Sequence, residues 1–233
     1  LPTRSVIRDL QIGDYDTNLV RLTLIEGERV RDIAPRASAV LPTFVAAAFI
    51  ATATPREGFL FPDTYFIPPD YSTNDLVNLL YTTYQTKTAP LTDAIAAHPL
   101  SEQEIVTLAS ILEREANTPE SKRLVAGILL SRLEIGMPLQ ADASIEYVLE
   151  TPLNELPPGG LAAELRDRES PYNTYLNQGL PPTPIGNPGL TAIEAVLDPT
   201  ESDYLYYLTA PDGTFYYAET YAEHQRNIAR YLR

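Results

Sequence analysis

The chain has 233 residues, 44% of them hydrophobic, enough to bury a real core in one large domain or two unequal ones. Its 31 acidic residues against 17 basic ones leave a formal charge of -14, which argues against an electrostatic grip on nucleic acid or on an anionic membrane surface. Cysteine is absent, which removes disulfide frameworks, thiol nucleophiles and thiolate metal sites together.

The opening LPTRSVIRDL lacks the basic and apolar regions of a signal peptide, so any targeting or anchoring segment is expected to lie outside this chain. Over residues 20–24 apolar and polar side chains alternate before Glu26 and Gly27, which predicts a strand and a turn. A short helix over 28–33 and an alanine-rich one over 41–53, closed by Pro55, complete a small β-α-α unit. The uncharged run over 37–55 is interrupted by Pro42 and diluted by hydroxyl residues, so it reads as a buried helix and not a membrane span. The stretch EGFLFPDTYFIPPDY, 57–71, is too rich in proline for a long regular element and marks a domain junction.

Residues 72–88 predict a helix with Ser72 as N-cap and Leu76, Leu79, Leu80 and Tyr84 on one stripe. Ser101 and Glu104 form a capping box ahead of Ile105, Leu108, Ile111 and Leu112 at helical spacing, which puts Glu113 in the third or fourth turn of a helix. A further helix opens after Pro119 and stops at Gly136, and the two can pack together. Residues 151–188 are dense in proline and glycine and read mostly as loop. A short helix over 191–197, two aromatic runs around Asp212 and Gly213 that signal a hairpin, and a final helix over 221–233 close the chain. The fold class is therefore α+β: a β-α-α unit followed by a mainly helical domain with a C-terminal β-hairpin.

Glu113 follows Leu112 at the border between the buried stripe and water, where a carboxyl can keep its proton to higher pH. Taken alone, a solvated helix glutamate is the commoner reading of such a residue. Glu115, two residues on, points about 200° away around the helix, so the pair cannot flank one sugar bond. Asp63, Asp142 and Glu57 are the remaining carboxylate candidates, each as easily a turn or capping residue. The two histidines, His98 and His224, match no metalloprotease pattern, and neither a GxSxG elbow nor a glycine-rich phosphate loop is present, so no metal and no cofactor is expected. SPYNTY, 170–175, offers two rings and an amide of the kind that suits sugar rings and N-acetyl groups, while tyrosines covering a small core explain the composition equally well.

Six segments together resemble the endolytic murein transglycosylase family, also called MltG or YceG-like. They are EGFLFPDTY (57–65), LASILEREA (108–116), AGILLSRLEIGMPLQAD (126–142), SPYNTY (170–175), GLPPTPIGNPGL (179–190) and TYAEH (220–224). The chain departs from the family at Ala143 and Ser144, where proline and threonine are usual, and at Arg56, where leucine is frequent. The resemblance implies that the first acid of the ASIxExE helix, Glu113, is the catalytic acid and base. It also places Gln140, Tyr172 and Asn173 around a sugar cleft, and Tyr175 of the same loop joins them as a binding candidate. The implied reaction is non-hydrolytic cleavage of the MurNAc-GlcNAc bond in peptidoglycan strands, leaving 1,6-anhydroMurNAc ends and terminating nascent strands. A hydrolytic muramidase and a non-catalytic peptidoglycan-binding module are the alternatives. Further implications are a LysM-like unit over 1–55 ahead of a catalytic domain over 56–233, and an N-terminal membrane anchor outside this chain. Location at the extracytoplasmic face of the bacterial plasma membrane follows, with peptidoglycan synthases as an open question among partners.

Overall fold

The computed structural model describes residues 19–149 and 168–232. Strand β1 (Val20–Thr23) pairs antiparallel with β2 (Thr64–Ile67), with Leu22 opposite Tyr65 and Val20 opposite Ile67. The two-residue period turns Leu22, Tyr65 and Ile67 into the core and leaves Arg21 and Phe66 outside. β2 lies inside the stretch read from sequence as a junction, where its four residues fit between Pro62 and Pro68. Helix α1 (Val30–Val40) runs past the expected end at 33 and contains Pro35. Helix α2 (Ala46–Ala53) begins only after Pro42, and the backbone N–H of Leu41 closes α1 on the Ala37 carbonyl at 2.9 Å instead of opening the next helix. Helix α3 (Thr73–Thr88) starts on Ser72, whose hydroxyl accepts the Asp75 N–H.

These elements enclose a hydrophobic cluster that runs in sequence from Leu22 to Leu80, with Ile33, Phe49, Leu60 and Leu76 fully buried. The border expected at residue 55 falls within this cluster. A second cluster is built by α4 (Thr92–Ala97), α5 (Glu102–Glu115), α6 (Pro119–Glu134), α7 (Asp142–Leu149) and α8 (Leu190–Leu197). Both α5 and α6 open on capping boxes, Ser101 with Glu104 and Thr118 with Ser121. Ile105, Leu108, Ile111 and Leu112 of α5 are wholly buried, each contributing about 1.5–3 kcal/mol by removal from water. Short α8 packs on both long helices.

Strands β3 (Tyr206–Thr209) and β4 (Phe215–Ala218) form the expected hairpin, with Gly213 in the left-handed region at φ +83°. Helix α9 (Tyr221–Tyr231) returns along it, and the rings of Tyr216 and Tyr231 stack 3.6 Å apart. The fold is thus α+β, helix-rich with two small antiparallel sheets among the described residues.

Asn187 joins the two clusters. Its Oδ1 accepts the N–H groups of Gly58 and Leu60 at 2.9 and 3.0 Å, and its Nδ2 donates to the Glu28 carbonyl and to Glu57 Oε1, both at 2.9 Å. Every hydrogen-bonding position of that amide is filled in a site where Asn187 itself is 1% exposed. Glu57 in turn accepts the first N–H of α1, that of Val30, on both oxygens. Burial pushes the Glu57 carboxyl up to about 7, against the lowering effect of those hydrogen bonds. Asn187→Ala strands four buried partners, so chemical denaturation is expected to read a loss of about 3 kcal/mol in unfolding free energy.

Candidate active site

The 3.6-residue turn sends the two glutamates at the end of α5 to different surroundings. Glu113 Oε1 accepts from the Lys122 ammonium of α6, and both side chains are only 6% exposed. Its Oε2 accepts the N–H of Gly189, the N-cap of α8, at 3.0 Å, where the helix dipole favours negative charge. From the turn after β1, Glu26 leans on the same glycine so closely that a Cβ there would lie 1.9 Å from Glu26 Oε1. Partial burial and then the Glu113 charge raise the Glu26 carboxyl. Glu113, expected from sequence to be the acid, is therefore engaged on both oxygens and shut away from solvent. Its geometry is that of a clamp between α5, α6 and α8.

Glu115 lines a cleft of about 510 Å³ formed by α5, α6, the start of α7, the hairpin and α9. Its Oε2 accepts the Tyr207 phenol at 3.0 Å and its Oε1 the Ala143 N–H at 3.4 Å. Burial and then the nearby Asp142 charge push the Glu115 carboxyl up to about 7, against the opposing pull of those two hydrogen bonds. A carboxyl with that property at the wall of an open cleft can give a proton near neutral pH and take one back.

The loop around SPYNTY builds one wall. Gln140 N–H donates to the Thr174 carbonyl and Ala141 N–H to Thr174 Oγ1, both at 3.0 Å, and the Ser144 and Thr174 hydroxyls lie 2.9 Å apart. This docking lets the Tyr175 phenol reach Asp142 Oδ1 at 2.5 Å and holds Gln140 at φ +52°, a strained conformation for a residue with a side chain, at the cleft surface. Gln140 and Tyr175 thus share the cleft with Glu115. Asn173 does not: it is fully buried, donating from Nδ2 to the Arg168 carbonyl and accepting the Tyr175 N–H, each at 3.0 Å, so it organises the loop. Tyr172 lies elsewhere too, its ring 4.7 Å from that of Tyr147 and its hydroxyl 2.7 Å from Thr183 Oγ1.

Three cleft residues escaped the sequence reading. Arg132 donates from its guanidinium to the Leu139 and Leu205 carbonyls at 2.5 and 2.7 Å, tying the 139–142 segment to the hairpin, and stacks over the Tyr206 ring at 5.4 Å. Tyr207, whose phenol is raised well above its ordinary value by burial and by Glu115, sits on β3 facing inward. His224 stacks on Tyr206 at 5.3 Å with a buried, unpartnered Nδ1, and burial and then Arg132 lower its ring. Only the order of polar residues within TYAEH and SRLEIG hinted at His224 and Arg132. Of the other carboxylates weighed, Asp63 pairs with Lys87 at 3.1 Å at the surface, Glu57 belongs to the Asn187 joint, and Asp142 lies in the cleft.

A sequence model of the YceG-like family matches residues 1–230. A protein of Streptococcus pneumoniae serotype 2 named endolytic murein transglycosylase is 30% identical over 224 residues, covering 94% of this chain and 41% of the relative. One of the same name from Bacillus subtilis is 33% identical over 187 residues, covering 76% of this chain and 48% of the relative. The chain therefore spans less than half the length of these relatives. The crystal structure of a yceG-like protein from Listeria monocytogenes superposes with a TM-score of 0.78 at 28% identity, covering 97% of this chain and 81% of that one. No helix among the described residues is long and apolar enough to cross a membrane.

The clamp and the cleft separate by mutation. Glu113→Gln leaves the Lys122 charge buried and uncompensated and is expected to cost about 3 kcal/mol of stability, as is Lys122→Met. The double substitution costs less than the sum of the two, measured as a double-mutant cycle by denaturant titration.

Proposed function

Because the chain belongs to the YceG-like family, we propose that it is the catalytic portion of an endolytic murein transglycosylase whose acid and base is Glu113, the first acid of the ASIxExE helix. One observation favours a second candidate, Glu115: it lines the cleft edged by Gln140, Tyr175, Tyr207 and Arg132, and burial pushes its carboxyl up to about 7. In the proposed reaction the protonated glutamate gives its proton to the oxygen bridging N-acetylmuramic acid and N-acetylglucosamine. The resulting carboxylate then takes the proton of the muramic acid C6 hydroxyl as that oxygen closes on C1, leaving a 1,6-anhydro end. One carboxyl serves both steps, and no water is consumed. Gln140 and Tyr175 supply hydrogen bonds to the sugar, and Asn173 acts by holding their loop.

The wider reading places this reaction on nascent peptidoglycan strands at the extracytoplasmic face of a bacterial plasma membrane, with an anchor outside the chain and the β-α-α segment as part of a LysM-like unit. A second reading, hydrolysis of the same bond, has one observation in its favour: Asp142 stands close enough to raise Glu115, so the cleft holds two carboxylates of the kind glycosidases use.

Mass spectrometry of digested peptidoglycan tests both. Anhydro-ended products are expected from the native chain, and none from Glu113→Gln at temperatures where it stays folded. Reducing-end products would favour hydrolysis, and cleavage by folded Glu113→Gln with none by Glu115→Gln would refute the assignment and move the acid to Glu115. With Glu115 as the acid, kcat/KM would also fall as pH rises through about 7, the value to which its carboxyl is pushed.

A further inference from the structure

To give a proton, Glu113 must first hold one, and a protonated Glu113 leaves the Lys122 ammonium without its counterion at a side chain only 6% exposed, where an unpaired charge is costly. An acid built on this ion pair therefore needs a second anion near Lys122. Glu26 stands there. It precedes Gly27 in the turn after β1, and glycines let that turn come close: a Cβ on Gly186 would strike the Gly27 carbonyl, and one on Gly189 the Glu26 carboxylate. The Gly27 N–H donates to the Asn187 carbonyl at 2.7 Å and the Asn187 N–H to the Glu28 carbonyl at 2.8 Å, which fastens the turn on both sides of Gly27. Gly189 is shared by the two acids, its N–H holding Glu113 Oε2 and its Cα facing Glu26. Glu26 is itself exposed, so water reaches it where it does not reach Glu113. The electrostatics agree with this grouping: partial burial and then the Glu113 charge raise the Glu26 carboxyl, while Lys122 lowers it. The other charges beside the turn are engaged elsewhere, Glu28 with Arg36 of α1 and Arg114 with Glu146 of α7.

We infer that Glu26 is a positioning residue for the acid, the carboxylate that takes over the Lys122 ammonium while Glu113 holds its proton. This rests on the reading of Glu113 as the acid. Before reaction solvent supplies the proton to Glu113, and Lys122 turns from Glu113 Oε1 towards Glu26. When the C1–O bond breaks, its electron pair stays on the leaving oxygen, which takes the Glu113 proton, and the ammonium returns to the new Glu113 carboxylate. The C6 oxygen then supplies the electron pair of the new C1–O bond and passes its proton to Glu113, which sends Lys122 back to Glu26. Glu26 forms no covalent bond, exchanges no proton and needs no co-reactant. The N-terminal cluster thus lends the site a charge as well as a support.

The test is steady-state kinetics of the full chain on peptidoglycan across pH, with Glu113→Gln run alongside. Glu26→Gln keeps the shape and removes the charge, and is expected to lower kcat on the order of tenfold with little change in KM. The alkaline limb of its rate profile should move to lower pH, because the protonated site has lost the anion that balances Lys122. Adding Lys122→Met to Glu26→Gln removes the charge that needed balancing. The double variant is expected to recover part of the lost rate at temperatures where it stays folded. Native kcat with an unmoved limb in Glu26→Gln would overturn the inference, and so would a loss of rate that Lys122→Met does not relieve, the pattern of a residue that only packs on Gly189. Cleavage by folded Glu113→Gln would instead strike at the reading of the acid, so the two failures are distinguishable.

Discussion

The burial of the Glu115 carboxyl, which pushes it up to about 7, is the interaction on which the cleft depends. Nothing in α5 alone provides it, since the last turn of an amphipathic helix is normally wet. The hairpin does, by laying Tyr207 over the carboxyl, and the hairpin is held there by the Arg132 guanidinium, which grips the Leu205 carbonyl on one side and the Leu139 carbonyl on the other. One side chain thus ties together the two walls that desolvate Glu115. In a chain of formal charge -14, placing a buried cation there also limits the repulsion among the acids around it.

The same helix turn has its other side fastened by Glu113. The ion pair with Lys122 and the hydrogen bond from Gly189 lock the end of α5 to α6 and α8, so the position of Glu115 is set from behind. Glu26 and Gly27 press on this clamp from the turn after β1, and Asn187 secures that turn to the chain at Gly58 and Leu60. The N-terminal cluster is in this way a support for the end of α5. Two neighbouring acids meet different surroundings: one carries a fully engaged charge, the other a charge that burial discourages.

Much of this was legible in the sequence. The capping box at Ser101, the N-cap at Ser72, the Asp212-Gly213 turn, the helix start at Pro119 and the stop at Gly136 state local chemistry that the tertiary structure leaves in force. Strand β2 and helix α7 were missed, because the first is four residues between prolines and the second depends on the docked Thr174 loop for its start. The different surroundings of the two glutamates were only partly legible. Spacing correctly put them on opposite sides of α5, yet which side faces a cleft is decided by Lys122 nine residues on and Tyr207 in the hairpin, partners that no local pattern reveals. The burial of Asn173 was hidden for the same reason: an amide in a loop suits a sugar as well as it suits the loop's own backbone, and the pattern of residues does not show which it meets.

The most direct test of the account is the titration of individual glutamate carboxyls followed by carbon-13 NMR on selectively labelled protein. Two carboxyls are expected to titrate near 7, belonging to Glu57 and Glu115. Glu115→Gln should remove one of them and Glu57→Gln the other, with Glu113→Gln leaving both in place. Loss of a near-neutral titration in Glu113→Gln, with none lost in Glu115→Gln, would contradict the account and place the raised carboxyl in the clamp.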